Sequence, residues 1–310
     1  MKNLTFFSLL FLTTINATAQ KPDKALIRVK YAFSHMMDTN QRQNYYTETM
    51  LLVAGKDASV FLSYDKILRD LEAKKSFEEQ ARQQAGNIQM IKSPLRKRHY
   101  SDIEYYYFAN EDKFFTKEQM GVNYLTEWKP EKITWKILPE KLTIEGISCK
   151  KATTSFKGRN WNVWFAEDLP FVSGPWKLTG LPGLIIQAYD ENKEVMFDFA
   201  GLEQIDHSQK NTTHNPLDEY SFKKLGSSNF LTDVEIKLPE NAVKASVQEI
   251  ERLKEVRTKD PQGFAKTQMA AMGFGGITRV AGPNNNPTLP KQTSIFNNPI
   301  EKKQPATKNK

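Results

Sequence analysis

Two short polar connections, Lys157-Gly158-Arg159-Asn160 and Asp190-Glu191-Asn192-Lys193, limit the fold of this chain more than any other feature. Residues 148–156 and 161–165 flank the first, residues 184–190 and 194–201 the second, and all four stretches favour strands. Connections this short join antiparallel neighbours, because a parallel pair needs a crossover of a dozen or more residues. Adding 123–128 and 132–138 gives a nearly unbroken meander from Gly121 to Leu202. Such a sheet packs one face and leaves the other partly free.

Upstream, residues 25–33 alternate apolar and polar side chains. Strands at 44–53 and 58–63 follow, joined at Gly55-Lys56-Asp57. The stretch 100–108 carries Tyr105, Tyr106, Tyr107 and Phe108, then a turn at Asn110-Glu111-Asp112. Between these, Tyr64, Ile67, Leu68 and Leu71 lie at helical spacing, with Ser63 or Asp65 as N-cap. The stripe fades after Ala73, which predicts a helix docked at its start and solvated at its end.

Beyond Leu202, residues 217–227 read as helical. A stronger helix is expected from Pro239, burying Val243, Val247, Ile250 and Leu253 until Pro261-Gln262-Gly263 interrupts it, with another turn or two over 264–272. From Gly273 onward, Gly, Pro, Asn and Lys dominate, and too little apolar surface is available to offset the entropy of ordering. The expected fold is α+β: a curved antiparallel sheet packed by one or two helices, with a disordered C-terminal tail. Its parts are a β-rich domain over 20–202 with one inserted helix, a helical segment over 203–272 packing on the sheet, and a basic tail over 273–310.

The N-terminus fits a secretory signal over 1–19. Lys2 is its basic start, 4–15 its apolar core, and Ala17-Thr18-Ala19 its cleavage site before Gln20. Periplasm or extracellular space is the expected location, and no later stretch has the length of a membrane helix. Cys149, the only cysteine, has no partner for an intramolecular disulfide. It is either a reactive thiol or a small buried residue on a strand, and the second reading is preferred. The net charge of +8 favours anionic surfaces such as lipid headgroups or acidic polysaccharide. No nucleic-acid recognition motif accompanies it. Residues 92–99 (KSPLRKRH) concentrate that charge, as a landing patch for phosphate or as a solvated loop; the loop is preferred.

The stretch 174–190 reads GPWKLTGLPGLIIQAYD. Gly174, Pro175, Gly180, Leu181, Pro182 and Gly183 are read as structural turn residues, with Leu181-Pro182-Gly183 forming a type II turn and Gly183 at positive φ. Leu184, Ile185 and Ile186 then open a strand buried on both faces. Upstream stand Trp135, Ile144, Gly146, Cys149, Lys151 and Ala152, then Gly158, Arg159, Trp164, Phe165 and Pro170. Together these resemble the GLPGLI family, secreted proteins of Bacteroidetes-type bacteria, over about a quarter of the mature chain. The resemblance implies export and, for some members, a link to outer-membrane transport systems; it carries over no catalytic residue. The strand order also resembles the half-barrel of periplasmic lipoprotein carriers, an analogy of topology that does not fix function.

Catalytic constellations are not evident. His35, His99, His207 and His214 have no i, i+4 spacing, so neither metal nor cofactor is expected. His35-Met36-Met37 offers soft donors that read better as core and edge residues. Ser173 lacks the setting of a nucleophile elbow, and Glu167-Asp168 reads as a turn. Arg159 and Lys177 flank Trp161, Trp164 and Trp176, a pattern suited to cation–π contacts or to core Trp beside a solvated Arg159. Trp176, Leu178, Trp164 and Arg159 are the candidate ligand-binding residues, with Trp176 presented at the mouth of an apolar concavity. The expected function is a periplasmic, non-enzymatic binding or carrier-like protein for a lipid or other amphipathic ligand. The alternative is an envelope interaction module accessory to an outer-membrane transport protein, and a hydrolase is the least favoured reading.

Overall fold

A computed structural model describes residues 21–83, 100–207, 235–271 and 296–302. The signal-type segment, the basic stretch 92–99 with His99, the helix expected at 217–227, His214 and most of the tail lie outside the described residues.

Alternation decides the strands. In chain order they are β1 (Asp23–Lys24), β2 (Ile27–His35), β3 (Tyr46–Ala54), β4 (Ala58–Ser63), β5 (Ile103–Phe108), β6 (Lys113–Met120) and β7 (Val122–Trp128). Then come β8 (Lys136–Ile144), β9 (Ile147–Phe156), β10 (Arg159–Ala166), β11 (Leu184–Asp190), β12 (Val195–Gln204), β13 (Glu235–Ile236) and β14 (Val243–Lys244). The helices are α1 (Tyr64–Gln83), α2 (Val247–Lys259) and α3 (Pro261–Ala271). β2 buries every second residue, whereas β4 is buried throughout because it is covered on both faces.

One large sheet runs β14-β7-β6-β5-β4-β3-β2-β12-β11-β10-β9-β8, antiparallel except where β14 lies parallel to β7. β4 and β9 are six strand intervals apart in that order, about 29 Å on a flat sheet. Yet Phe61 of β4 and Phe156 of β9 belong to one buried cluster with Tyr31, Phe33, Trp161, Phe165 and Phe197. The sheet therefore curls around this cluster and stays unclosed. On the outside, Ile67 of α1 joins Leu51, Val53, Val60, Leu62, Tyr106 and Phe115 in a second cluster. Ser63 caps α1 by accepting the Lys66 N–H at 2.9 Å, while Asp65 turns back to the Thr49 N–H at 3.0 Å. Ile67 is buried and Glu72, Lys75 and Arg82 are exposed, the docked start and solvated end that the stripe implied.

Several elements differ from the sequence reading. β6 (KFFTKEQM) carries polar side chains that the structure buries, including Thr116, Lys117 and Glu118, so hydropathy conceals it. The ion pair of Lys117 with Glu104, at 2.7 Å, and that of Lys254 with Glu118, at 2.9 Å, make the burial tolerable. The second helix starts at Val247, not Pro239. A capping box between Ser246 and Glu249 fixes that start, and Val243 is exposed in β14. The interruption expected at Pro261-Gln262-Gly263 falls at Asp260, where α2 ends, and Pro261 opens α3, with Asp260 Oδ1 accepting the Gly263 N–H at 2.9 Å. Within the tail, residues 296–302 are docked against the sheet, unlike the disorder expected there, because buried polar groups hold them.

Candidate functional site

The connection from β10 to β11 enters the hollow of the sheet. Trp176, Leu178 and Leu181 are all buried in the inner cluster. Trp176 packs 5.8 Å from the Phe156 ring and 5.6 Å from that of Trp161. Leu178 donates its N–H to the Pro175 carbonyl at 3.1 Å, and Trp176 between them takes a left-handed φ of 57°. That conformation is costly for a bulky residue and persists where packing over-determines it. The hollow is thus filled by the chain's own motif. Trp176 and Leu178 are buried within it, whereas the sequence reading set Trp176 at the mouth of a concavity.

The glycines of the motif have distinct reasons. Gly180 takes φ +91°, whereas Gly183 is not in the left-handed region, so the expected type II geometry is not what it supplies. A Cβ on Gly183 would collide with the Ala166 carbonyl, and one on Gly174 would lie 2.7 Å from the Leu178 carbonyl. Both positions require backbone contact too close for a side chain.

The turn at Trp176 directs Lys177 out of the core into an open cleft at the rim. Tyr107, Phe114, Trp128, Phe156, Lys157 and Lys177 are among its lining residues, and it encloses about 410 Å³ including its mouth. The Lys177 ammonium lies 5.0 Å from the Trp128 ring centroid, 5.9 Å from Trp176 and 6.0 Å from Phe114. Glu301 pairs with it and approaches Lys157, which also pairs with Glu131. A cation over aromatic faces with a second lysine beside it is an arrangement that can accept an anionic group, here the Glu301 carboxylate.

Adjacent to the cleft, Arg159 is buried rather than solvated. The β9–β10 turn has only two residues, Lys157 and Gly158, both at positive φ, and Phe156 pairs with Arg159 across it. Arg159 is therefore the first residue of β10, in phase with Trp161, Val163 and Phe165, and points inward. Its Nη1 donates to Asp190 at 2.6 Å and to Glu194 at 3.0 Å. Its Nη2 donates to Asn298 Oδ1 and to the Pro299 carbonyl, both at 2.8 Å, and its Nε to the Ile300 carbonyl at 2.9 Å. His35 Nε2 lies 2.7 Å from the Asn298 carbonyl, which can only accept, so that nitrogen carries the proton. Burial lowers the His35 pKa, and the nearby Arg159 charge adds to that, against the hydrogen bond to Asn298 and the Asp190 and Glu194 charges. For Glu194, burial raises the pKa, but the hydrogen bonds and charges of Lys302 and Arg159 outweigh it and the net direction is down.

Of the candidate residues, the structure buries Arg159, Trp176 and Leu178, leaves Trp164 half-buried, and places none of the four in the cleft lining. Ser173 is buried and its carbonyl accepts the Ile185 N–H, while Glu167 pairs with Lys150. Cys149 is buried on β9, and burial pushes its thiol up to about 11. Met36 is buried beside His35, whereas His207 faces the Ala25 carbonyl. Among the described residues, no three His, Cys, Asp or Glu side chains converge as a metal ion requires, and no helix is long and apolar enough to cross a membrane. Sequence reasoning missed Asp190, Glu194, Asn298 and Glu301. Counting back two residues from Trp161 was the signal that could have placed Arg159 inside.

No family model and no curated protein matches the chain. Among solved structures it is similar to two crystal forms of PNGF-II, in space groups P21 and C2. The identities are 13% and 12% and the TM-scores 0.46 and 0.47. Each match covers 74% of this chain and 32% of the other, so the chain spans about a third of the length of those structures.

Proposed function

We propose that this chain is an exported binding protein of the GLPGLI type, carrier-like and non-enzymatic, that holds the acidic head of an amphipathic ligand beside Lys177. The observation that carries this reading is the Lys177 ammonium over Trp128, Trp176 and Phe114, already paired with a carboxylate, that of Glu301. Glu301 stands in for the ligand's anionic group, and Phe114, Trp128 and Phe156 meet its apolar part. The cleft is open at the rim, so it suits the head and adjoining stretch of a ligand rather than a swallowed acyl chain. The net charge of +8 and the signal-type N-terminus agree with work near anionic surfaces outside the cytoplasm.

Titrating the mature chain with a fluorescent fatty acid tests this. Saturable binding is expected, weakened about tenfold by Lys177→Gln, the loss of one charge-assisted contact. Folded protein that binds no amphipathic carboxylate, or binds it equally well as Lys177→Gln, rejects the proposal.

A further inference from the structure

Residues 296–302 lie on the rim of the sheet as a bound peptide lies on a receptor. Asn297 and Asn298 are both read: Asn297 Oδ1 accepts the Thr39 N–H at 2.9 Å, and Asn298 donates its amide to the Met36 carbonyl at 2.7 Å and its backbone N–H to that of Met37 at 3.2 Å. Arg159, itself buried, reaches one side-chain oxygen and two successive carbonyls of the segment. Ile300 packs on the inner cluster. Lys302 donates its N–H to the Lys157 carbonyl at 3.0 Å and its ammonium to Glu194 at 3.0 Å.

Packing alone does not ask for this pattern. The segment contributes one aliphatic side chain to the inner cluster, while Phe296, its largest apolar residue, stays exposed. Its side-chain contacts, through Asn297, Asn298, Glu301 and Lys302, instead read residue identity. Asn298 presents an acceptor to Arg159 and a donor to Met36, which an apolar residue cannot do. Glu301 and Lys302 are adjacent at a bend over residues 300–301, and their side chains meet different partners. The rim offers lysines 157 and 177 to the acid and Glu194 to the base. Pro299 has no N–H to satisfy and exposes its carbonyl to Arg159.

We infer that this rim is a sequence-selective peptide-binding groove, centred on Arg159, for a segment of the form Asn-Pro-aliphatic-acidic-basic. The chain's own Asn298–Lys302 fills it in cis. In the sequence, residues 272–295 stand between this segment and α3, so it does not directly continue that helix. The inference does not depend on the cleft binding an amphipathic ligand.

The test uses the intact chain carrying Asn298→Ala and Ile300→Ala, which disable the cis segment without touching the groove. A labelled peptide of residues 294–302 should bind this variant saturably and at least about tenfold more tightly than it binds the unaltered chain, whose groove is filled. A scrambled peptide should not bind, and a peptide with Asn298→Ala should bind about tenfold more weakly. No binding to the folded variant, or equal binding of the scrambled peptide, overturns the inference. Hydrogen exchange on the unaltered chain gives a second reading. The amides of Asn298 and Lys302 should exchange well before those of β10. Exchange only together with β10 would mark the segment as an integral part of the core and overturn the inference.

Discussion

Arg159 Nη1 lies 2.6 Å from Asp190 Oδ2, and the two side chains are only 1% and 4% exposed. The pair joins the start of β10 to the end of β11, two positions out of direct register, since Trp161 is the residue that pairs with Asp190. Asp190 Oδ1 also accepts the Val195 N–H at 2.9 Å, so one carboxylate fixes the β11–β12 turn and neutralises the guanidinium. An arginine so placed has neither water nor another anion to turn to if Asp190 and Glu194 are lost.

Removing one partner of this pair is therefore expensive. Arg159→Ala and Asp190→Asn should each destabilise the fold by roughly 3–5 kcal/mol, the range for breaking a buried ion pair. Arg159→Lys should recover little, because one ammonium cannot span Asp190, Asn298 and the Pro299 and Ile300 carbonyls. Urea unfolding followed by tryptophan fluorescence measures each. A loss near zero would mean that water reaches the pair.

Two motif glycines should respond differently to the same change. Gly183→Ala meets the Ala166 carbonyl and should cost roughly 1–3 kcal/mol, with Gly183→Asn at least as damaging. Gly180→Ala has open space, its nearest neighbour being Trp135 Nε1 at 3.7 Å, and is penalised by its φ alone. Gly180→Asn should recover part of that loss, because Asn tolerates left-handed backbone. Thermal melts of the four variants separate steric from conformational cost.

Trp176 and Lys177 are neighbours with opposite duties. Trp176→Ala should cost roughly 3–5 kcal/mol, as for a large core side chain, since its indole fills the hollow between Phe156 and Trp161. Lys177→Met should leave the melting temperature within a few degrees and act on ligand binding instead. Equal effects of the two on stability would contradict the division between core and cleft.

The pH dependence follows from His35. Its folded pKa is below the ordinary 6.5, chiefly through burial. As pH falls below 6.5, the unfolded chain takes up a proton that the folded chain refuses, so stability falls. Glu194, also lowered, adds a loss in the same direction only below about pH 4.5, where the unfolded carboxylate protonates. Melting temperatures should thus decline from pH 7 to pH 5, and His35→Gln should flatten that decline.

Cys149 should behave as a core residue. With its thiol pushed up to about 11, roughly a thousandth is thiolate at pH 8. Iodoacetamide should label it only in denaturant. Fast labelling of native protein would show an accessible, reactive thiol.

Residue chemistry along the chain was enough to establish the antiparallel meander, because hairpin turns and period-two burial are local properties. β4 came out with its observed bounds, and β9 to β12 fell close to theirs, since Gly158, the Asp190–Lys193 turn and the apolar run from Leu184 all act within a few residues. β6 escaped because its buried Thr116, Lys117 and Glu118 look solvated until Glu104 and Lys254 are brought to them from elsewhere. The start of α2 moved because Pro239 suits a first turn, whereas the capping box of Ser246 with Glu249 and the pairing of β14 with β7 exclude the longer helix. Curvature decided the rest. By curling the sheet, the fold placed Trp176 and Leu178 inside instead of at a mouth, set Lys177 over Trp128, and brought residues 296–302 to Arg159. Partners separated by 139 or more positions, such as Arg159 and Asn298, leave no periodic trace in a sequence. Their meeting depends on burial that only the assembled sheet provides.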